Sequence, residues 1–391
     1  MNLKEEAQAL SPYIVKERRH FHRHGELSFH ETDTTAHIAA ELTKEGIEVE
    51  TFDDHPGVIG TIRGAHPGRT VLLRSDIDAL PIQEESGSAF ASENPGVMHA
   101  CGHDCHMAML LGAAKLLAAH RDDIHGTVKV FFQSGEESGY GMKYYIGHHC
   151  FDGVDAAFGM HMEPHIPKGC FSIEKGPRLA SCTDFRLTVH GVSAHGSTPH
   201  LGRDAIVAAS AILMNLQTLV SRRNNPLHPL VVTIGKVRAG KQFNIICDKV
   251  VLEGTIRALD RSLWKEAPVW FAEVAENTAK ALGCTAEFDP YSAEPVTENR
   301  CDDLTEIARK GAVDLFGEGV LYHLPPVMAS EDFSYLMEEV PSLFALVGTK
   351  EEGKPVYPLH SDHFCADDSE LWRGAAIHAR FAIDYLKGGK R

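Results

Sequence analysis

Basic residues are in short supply: 38 Lys and Arg stand against 54 Asp and Glu, a formal net charge of -16 over 391 residues with histidine neutral. A nucleic-acid backbone needs a basic face to displace its counterions, so no nucleic-acid partner is expected. Long apolar runs are missing too. No stretch approaches the roughly 18 uninterrupted apolar residues of a membrane span. The opening Met1-Asn2-Leu3-Lys4-Glu5-Glu6 has no apolar secretory core and brings acidic residues early. No membrane partner is expected, and the default location is the cytoplasm. The 9 cysteines are scattered and odd in number, which argues against a disulfide framework. Hydrophobic residues at 43% and charged residues at 24% argue against wholesale disorder.

What is abundant is histidine, 24 in all, and its clustering matters more than its number. Apolar spacing predicts helices over 3–24 and 32–45 and strands over 58–62 and 70–74, the second running into Ser75-Asp76-Ile77-Asp78. A long helix should follow the segment 98–106. Strands over 126–133 and 156–160 run into Gln133-Ser134-Gly135-Glu136-Glu137 and His161 respectively. Strands that alternate with helices and end in polar residues indicate an α/β domain with a central sheet, helices on both faces and active residues at one sheet edge. The middle differs: a strand over 184–189, a helix over 204–221, strands over 230–238 and 249–258, a helix over 263–282 and a strand over 285–291. That βαββαβ order is the ferredoxin-like signature. We therefore expect a catalytic domain in two parts, 1–181 and 295–391, interrupted by an inserted domain over 182–294.

The sharpest chemical signal is Met98-His99-Ala100-Cys101-Gly102-His103-Asp104-Cys105-His106, where thiols and imidazoles crowd a loop between strand and helix. Thiolate and imidazole are preferred ligands of Zn²⁺ and its neighbours. Glu136-Glu137 is the second signal. On an extended backbone these neighbours would point in opposite directions, one to a metal and the other to substrate as a general base. His161 and His360 are the third. Cys101, His103, Glu137, His161 and His360 make five ligands from four separate segments. That is too many for one tetrahedral zinc that keeps a water, and it suits two metals sharing a ligand. The thiolate favours Zn²⁺, and the carboxylate tolerates Mn²⁺.

These residues resemble the M20 metallopeptidase/amidohydrolase family, in particular its aminoacylases, hippurate hydrolases and auxin-conjugate amidohydrolases. The likeness runs from Arg19-His20-Phe21-His22-Arg23-His24-Gly25-Glu26 through Arg74-Ser75-Asp76-Ile77-Asp78 and His99-Ala100-Cys101-Gly102-His103-Asp104 to Leu359-His360-Ser361. The resemblance implies that Cys101 bridges two metals, that His103 and His161 complete one site, and that Glu137 and His360 complete the other. It implies Glu136 as general base and Asp78 as the group that orients His103. His195, in the insertion, would cross a homodimer interface to polarise the scissile carbonyl. Asn244 and Arg257 would hold the carboxylate of the released amino acid. The implied activity is hydrolysis of N-acyl amino acids, with free small peptides as the alternative substrate. The chain departs from the family at Gly25, at Ser134-Gly135, at Cys247 and at Met162-Glu163-Pro164. Glu163 is expected to be solvated.

Overall fold

The computed structural model describes residues 2–388; Met1 and 389–391, at the outer ends of the expected catalytic segments, lie outside the described residues. The chain divides into two compact units. One comprises residues up to Gly176, Glu298–Pro325 and those from Tyr335 on; the other comprises Pro177–Thr297 and Pro326–Ser334.

In the first unit, among the described residues, a seven-stranded sheet runs in the order Glu48–Thr51, Val58–Arg63, His125–Gln133, His66–Asp76, Ala156–Pro167, Ser342–Lys350, Phe171–Ser172. The four strands from His125–Gln133 to Ser342–Lys350 are mutually parallel. Alternation along the strand His125–Gln133 explains its helical cover on both faces. Val128, Val130 and Phe132 enter the main core with the helices His103–Ala119 and Leu371–Lys387. Phe131 points the other way, its ring 4.7 Å from that of Tyr145 on the helix Gly141–Gly147. The helix His103–Ala119 is buried almost all round, as its run of alanine, leucine and methionine requires.

The helix expected over 3–24 is two helices, Leu3–Ala9 and Ser11–Arg23. Pro12 accounts for the break: it donates no backbone hydrogen bond and sits in the first turn of the second helix. The strand through His161 is longer than expected and continues to Pro167, so His161 lies within a strand rather than at its end.

The second unit has the expected βαββαβ order: Ser181–His190, Ala205–Thr218, Leu230–Ala239, Lys249–Ala258, Arg261–Ala281 and Thr285–Glu294. Its four strands pair antiparallel in the spatial order fourth, first, third, second, the ferredoxin-like arrangement. Asp204 and Asp260 cap the two helices, each accepting from two backbone amides. Ala205–Arg223 has a mean hydropathy of 1.3 and is by length and composition alone able to cross a membrane. Its inner residues Ala208, Ala209, Ile212 and Leu216 are core residues of this unit, as in the core helix of a globular domain.

Candidate metal centre and active site

The four parallel strands of the first unit share a carboxyl edge, the place where open α/β sheets put their ligands. His66–Asp76 leads there to Asp78, and His125–Gln133 leads to the paired glutamates. Cys101 lies on the loop just before the helix that starts at His103. The loop turns through Gly102 at φ 92°, and a Cβ there would stand 3.0 Å from Met162 Cβ. Gly102→Ala is therefore expected to cost roughly 1–2 kcal/mol in backbone strain alone, and a urea melt of the metal-free protein should show the loss. His360 also sits at positive φ, 64°, and its N–H donates to the Ala100 carbonyl at 2.9 Å. That bond ties the C-terminal loop to the Cys101 loop, hundreds of residues away in sequence.

The five expected ligands converge. Cys101 Sγ is 3.4 Å from His161 Nε2 and 3.3 Å from His360 Nε2. Glu137 Oε1 is 3.3 Å from His360 Nε2 and 3.9 Å from His103 Nε2. Glu136 Oε2 stands 3.9 Å from the same His103 nitrogen. The remaining nitrogens explain why these are free to ligate. His103 Nδ1 donates to the Asp78 carbonyl at 2.9 Å, with the Asp78 carboxylate at 3.2 Å. His161 Nδ1 donates to the Met162 carbonyl at 2.7 Å. Each Nε2 lone pair is thereby turned towards the cluster.

Electrostatics asks for a cation here. His103 Nε2 is buried with no hydrogen-bond partner. Burial penalises a charge on His103, yet Asp76, Asp78 and Glu137 outweigh it and hold the pKa up at about 10. Burial, then Glu137 and Glu136, push the Cys101 thiol well above its usual value. Burial, then His106, keep His161 well below the ordinary histidine range. A divalent ion would satisfy the same negative field that holds a proton on His103, and would reverse the penalty on the thiolate. Donor types, convergence and the orphaned nitrogen all fit such a group.

Two expectations need correction. Glu136 and Glu137 are not on extended backbone. They form a 3₁₀ turn, Glu136–Ser138, entered through Gly135 at φ 74°, so both carboxylates approach His103 instead of facing apart. The turn is anchored by Glu31, which accepts from Ser134 Oγ at 2.7 Å and Gly135 N at 2.9 Å; burial and Asp78 raise its pKa to about 8. Glu163 is not solvated: it is 7% exposed and accepts from His165 N at 2.9 Å.

Sequence reasoning passed over the groups behind the candidate ligands. Asp104 is held by Arg18 at 2.9 Å and His22 at 2.7 Å, all three buried. Ser28 Oγ and Glu137 N both donate to Asp78 Oδ2, at 2.7 and 2.9 Å. The histidine-rich segment near residue 20 thus braces Asp104, the neighbour of His103. The signal was its place among the quoted motifs, but nothing in its spacing named its partners.

His195, Asn244 and Arg257 belong to the second unit. His195 is exposed. Its Nδ1 accepts the Ser197 amide at 3.1 Å, which places the ring proton of the neutral form on Nε2, ready to donate. The Asn244 carbonyl accepts from Gly196 N at 2.8 Å, and His195 bridges Ile245, so His195 and Asn244 share one surface. Arg257, on the strand Lys249–Ala258, donates to the Met328 carbonyl at 3.0 Å.

A thiol, imidazoles and carboxylates gathered around a charge-seeking centre, with a second glutamate at its rim, define a metal-dependent hydrolase. The chain belongs to Peptidase family M20/M25/M40, whose model matches residues 72–384. It is 37% identical over 391 residues to Thermostable carboxypeptidase 2 of Saccharolobus solfataricus, covering 98% of each chain. It is 36% identical to N-acetyl-L-cysteine deacetylase of Bacillus subtilis, covering 95% of this chain and 89% of that one. The solved structure of the Bacillus subtilis YXEP protein, a dinuclear metal binding peptidase from the M20 family, matches with a TM-score of 0.84 at 33% identity, over 97% of this chain and 99% of that one. This protein is accordingly a hydrolase acting on amide or peptide bonds.

Proposed function

We propose that the chain is a dinuclear amidohydrolase that cleaves N-acyl amino acids. The observation that carries the reading is Cys101 Sγ within 3.4 Å of His161 Nε2 and 3.3 Å of His360 Nε2. A sulfur between two imidazole nitrogens would be available to both ions. Cys101, His103 and His161 would hold one ion, and Cys101, Glu137 and His360 the other, as Zn²⁺ or Mn²⁺. When bound, such ions lower the pKa of water to about 7 and polarise a carbonyl.

The chain's own residues divide the remaining work. Glu136 takes a proton from the attacking water and later gives it to the leaving amine. Asp78 fixes the ring of His103. His195 Nε2–H donates to the carbonyl oxygen as negative charge grows there, and Asn244 and Arg257 bind the product carboxylate. The family relative named as a deacetylase supports the acyl reading. The relative named as a carboxypeptidase supports free peptides as the second reading.

The active form we propose is a homodimer built on the inserted unit. Its sheet ends on the strand Leu230–Ala239, where Val231 and Val237 are exposed, and the helix Ala205–Thr218 exposes Ile206, Val207 and Met214. An open edge beside exposed apolar side chains suits a symmetric partner.

Elemental analysis of metal-loaded, desalted protein is expected to approach two ions per chain, and a saturated value of one with full activity would refute the dinuclear reading. Amine release from N-acetyl- and N-benzoyl-amino acids should exceed that from matched dipeptides. The reverse order would make the protein a peptidase.

A further inference from the structure

One buried histidine of the ligand segment has no task in the chemistry above. His106 stands one turn after His103 on the same helix and is 2% exposed. Both of its nitrogens are engaged. Nε2 accepts the Met162 amide at 2.8 Å, so the proton lies on Nδ1, which meets Asp76 Oδ1 at 2.6 Å. Asp76 is held in turn by Arg74 Nη1 at 2.9 Å. The peptide group after Met162 N–H matters because the carbonyl of Met162 accepts His161 Nδ1 at 2.7 Å. Met162 thus links two histidines: its amide is fixed by His106, and its carbonyl fixes His161.

The geometry points to His106 as a positioning residue that aims His161 Nε2 at Cys101, with Arg74 and Asp76 holding His106 in the required tautomer. This rests on the reading of His161 as a metal ligand. The rings of His106 and His161 lie 4.7 Å apart, so the brace is also a packing contact. The alternative role is ligation by His106 itself. Donor atoms of Asp76, His103, His106 and His161 do lie within 4.8 Å of one another. However, the only lone pair His106 could offer already receives the Met162 amide. Outer partners of metal-bound imidazoles fix ring orientation, and their loss typically costs about 10–100-fold in metal affinity.

Two substitutions separate the two hydrogen bonds. His106→Gln keeps an acceptor near the Nε2 position for the Met162 amide, whereas His106→Asn keeps only a donor near Nδ1 for Asp76. The full-length protein is titrated with Zn²⁺ against a chromophoric chelator. In parallel, Co²⁺-loaded protein is followed by its visible spectrum, which reports ligand geometry without turnover. The expected result is a loss of about 10–100-fold in affinity for one of two equivalents in His106→Asn, with altered Co²⁺ bands. The other equivalent should be unchanged, and His106→Gln should restore most of the loss. Wild-type affinity for both equivalents in His106→Asn overturns the assignment. So does equal weakening of both equivalents, or a third wild-type equivalent that both variants lack. A single wild-type equivalent that His106→Asn still weakens would sustain the positioning role and overturn only the dinuclear reading. Should His106→Asn fail to fold, Asp76→Asn removes the charge that selects the His106 tautomer, and the same one-site loss is expected in smaller degree.

Discussion

Glu136→Gln is expected to lower kcat for N-acyl amino acids by about 10²–10⁴-fold, the usual contribution of a positioned base, while both metal equivalents stay bound. Glu137→Gln should behave differently, losing metal and activity together. The two residues are neighbours on one 3₁₀ turn, so a general disturbance of that turn would affect both variants alike. The distinction comes from their surroundings. Glu137 Oε1 lies 3.3 Å from His360 Nε2, and its own amide is tied to Asp78 at 2.9 Å, which fixes it among the candidate ligands. Glu136 Oε2 stands 3.9 Å from His103 Nε2. Metal content by elemental analysis and single-turnover rates would be measured on the same preparations. A Glu136→Gln protein working at near wild-type rate would remove Glu136 from the role of base.

In the sequence this division rests on a premise that the structure corrects. The apolar run from Val128 to Phe132 announces the strand His125–Gln133, and nothing in its pattern ends the extended backbone before the glutamates. Gly135 at φ 74° ends the extended conformation first. The residue type permitted that turn without requiring it. Local signals fared best where they were self-contained: the βαββαβ order of the insertion and the crowding of Cys101 and His103 into three residues. His161 and His360 were legible only as candidates, since what brings them to Cys101 is a 3.3–3.4 Å approach from distant strands and loops. The braces were the least legible. Asp104 with Arg18 and His22, Glu31 with the turn, and Asp76 with His106 are pairings across 30 to 104 residues. Hydrogen bonds of that separation leave no periodicity to read.

Activity is expected to reappear when two nearly inactive proteins, His195→Ala and Glu136→Gln, are mixed and allowed to exchange subunits. In a symmetric dimer each chain both gives and receives one His195. In the mixed dimer, the site on the His195→Ala chain keeps its own Glu136 and receives His195 from the other subunit. The second site has lost Glu136 and receives alanine. One of two sites is whole, so the heterodimer should reach about half the wild-type specific activity, far above either parent. The expected effect is large because, in the proposed function, the residue at stake donates a hydrogen bond where charge develops in the transition state. Loss of one such donor typically costs about 10²–10³-fold in kcat. The exposure of His195 and its Nδ1 contact with Ser197 N at 3.1 Å leave Nε2–H with the outward-facing role. Native mass spectrometry must confirm that heterodimers have formed. If they form and the mixture stays as inactive as its parents, His195 does not act in the partner's site, and the carbonyl must find its donor within one chain.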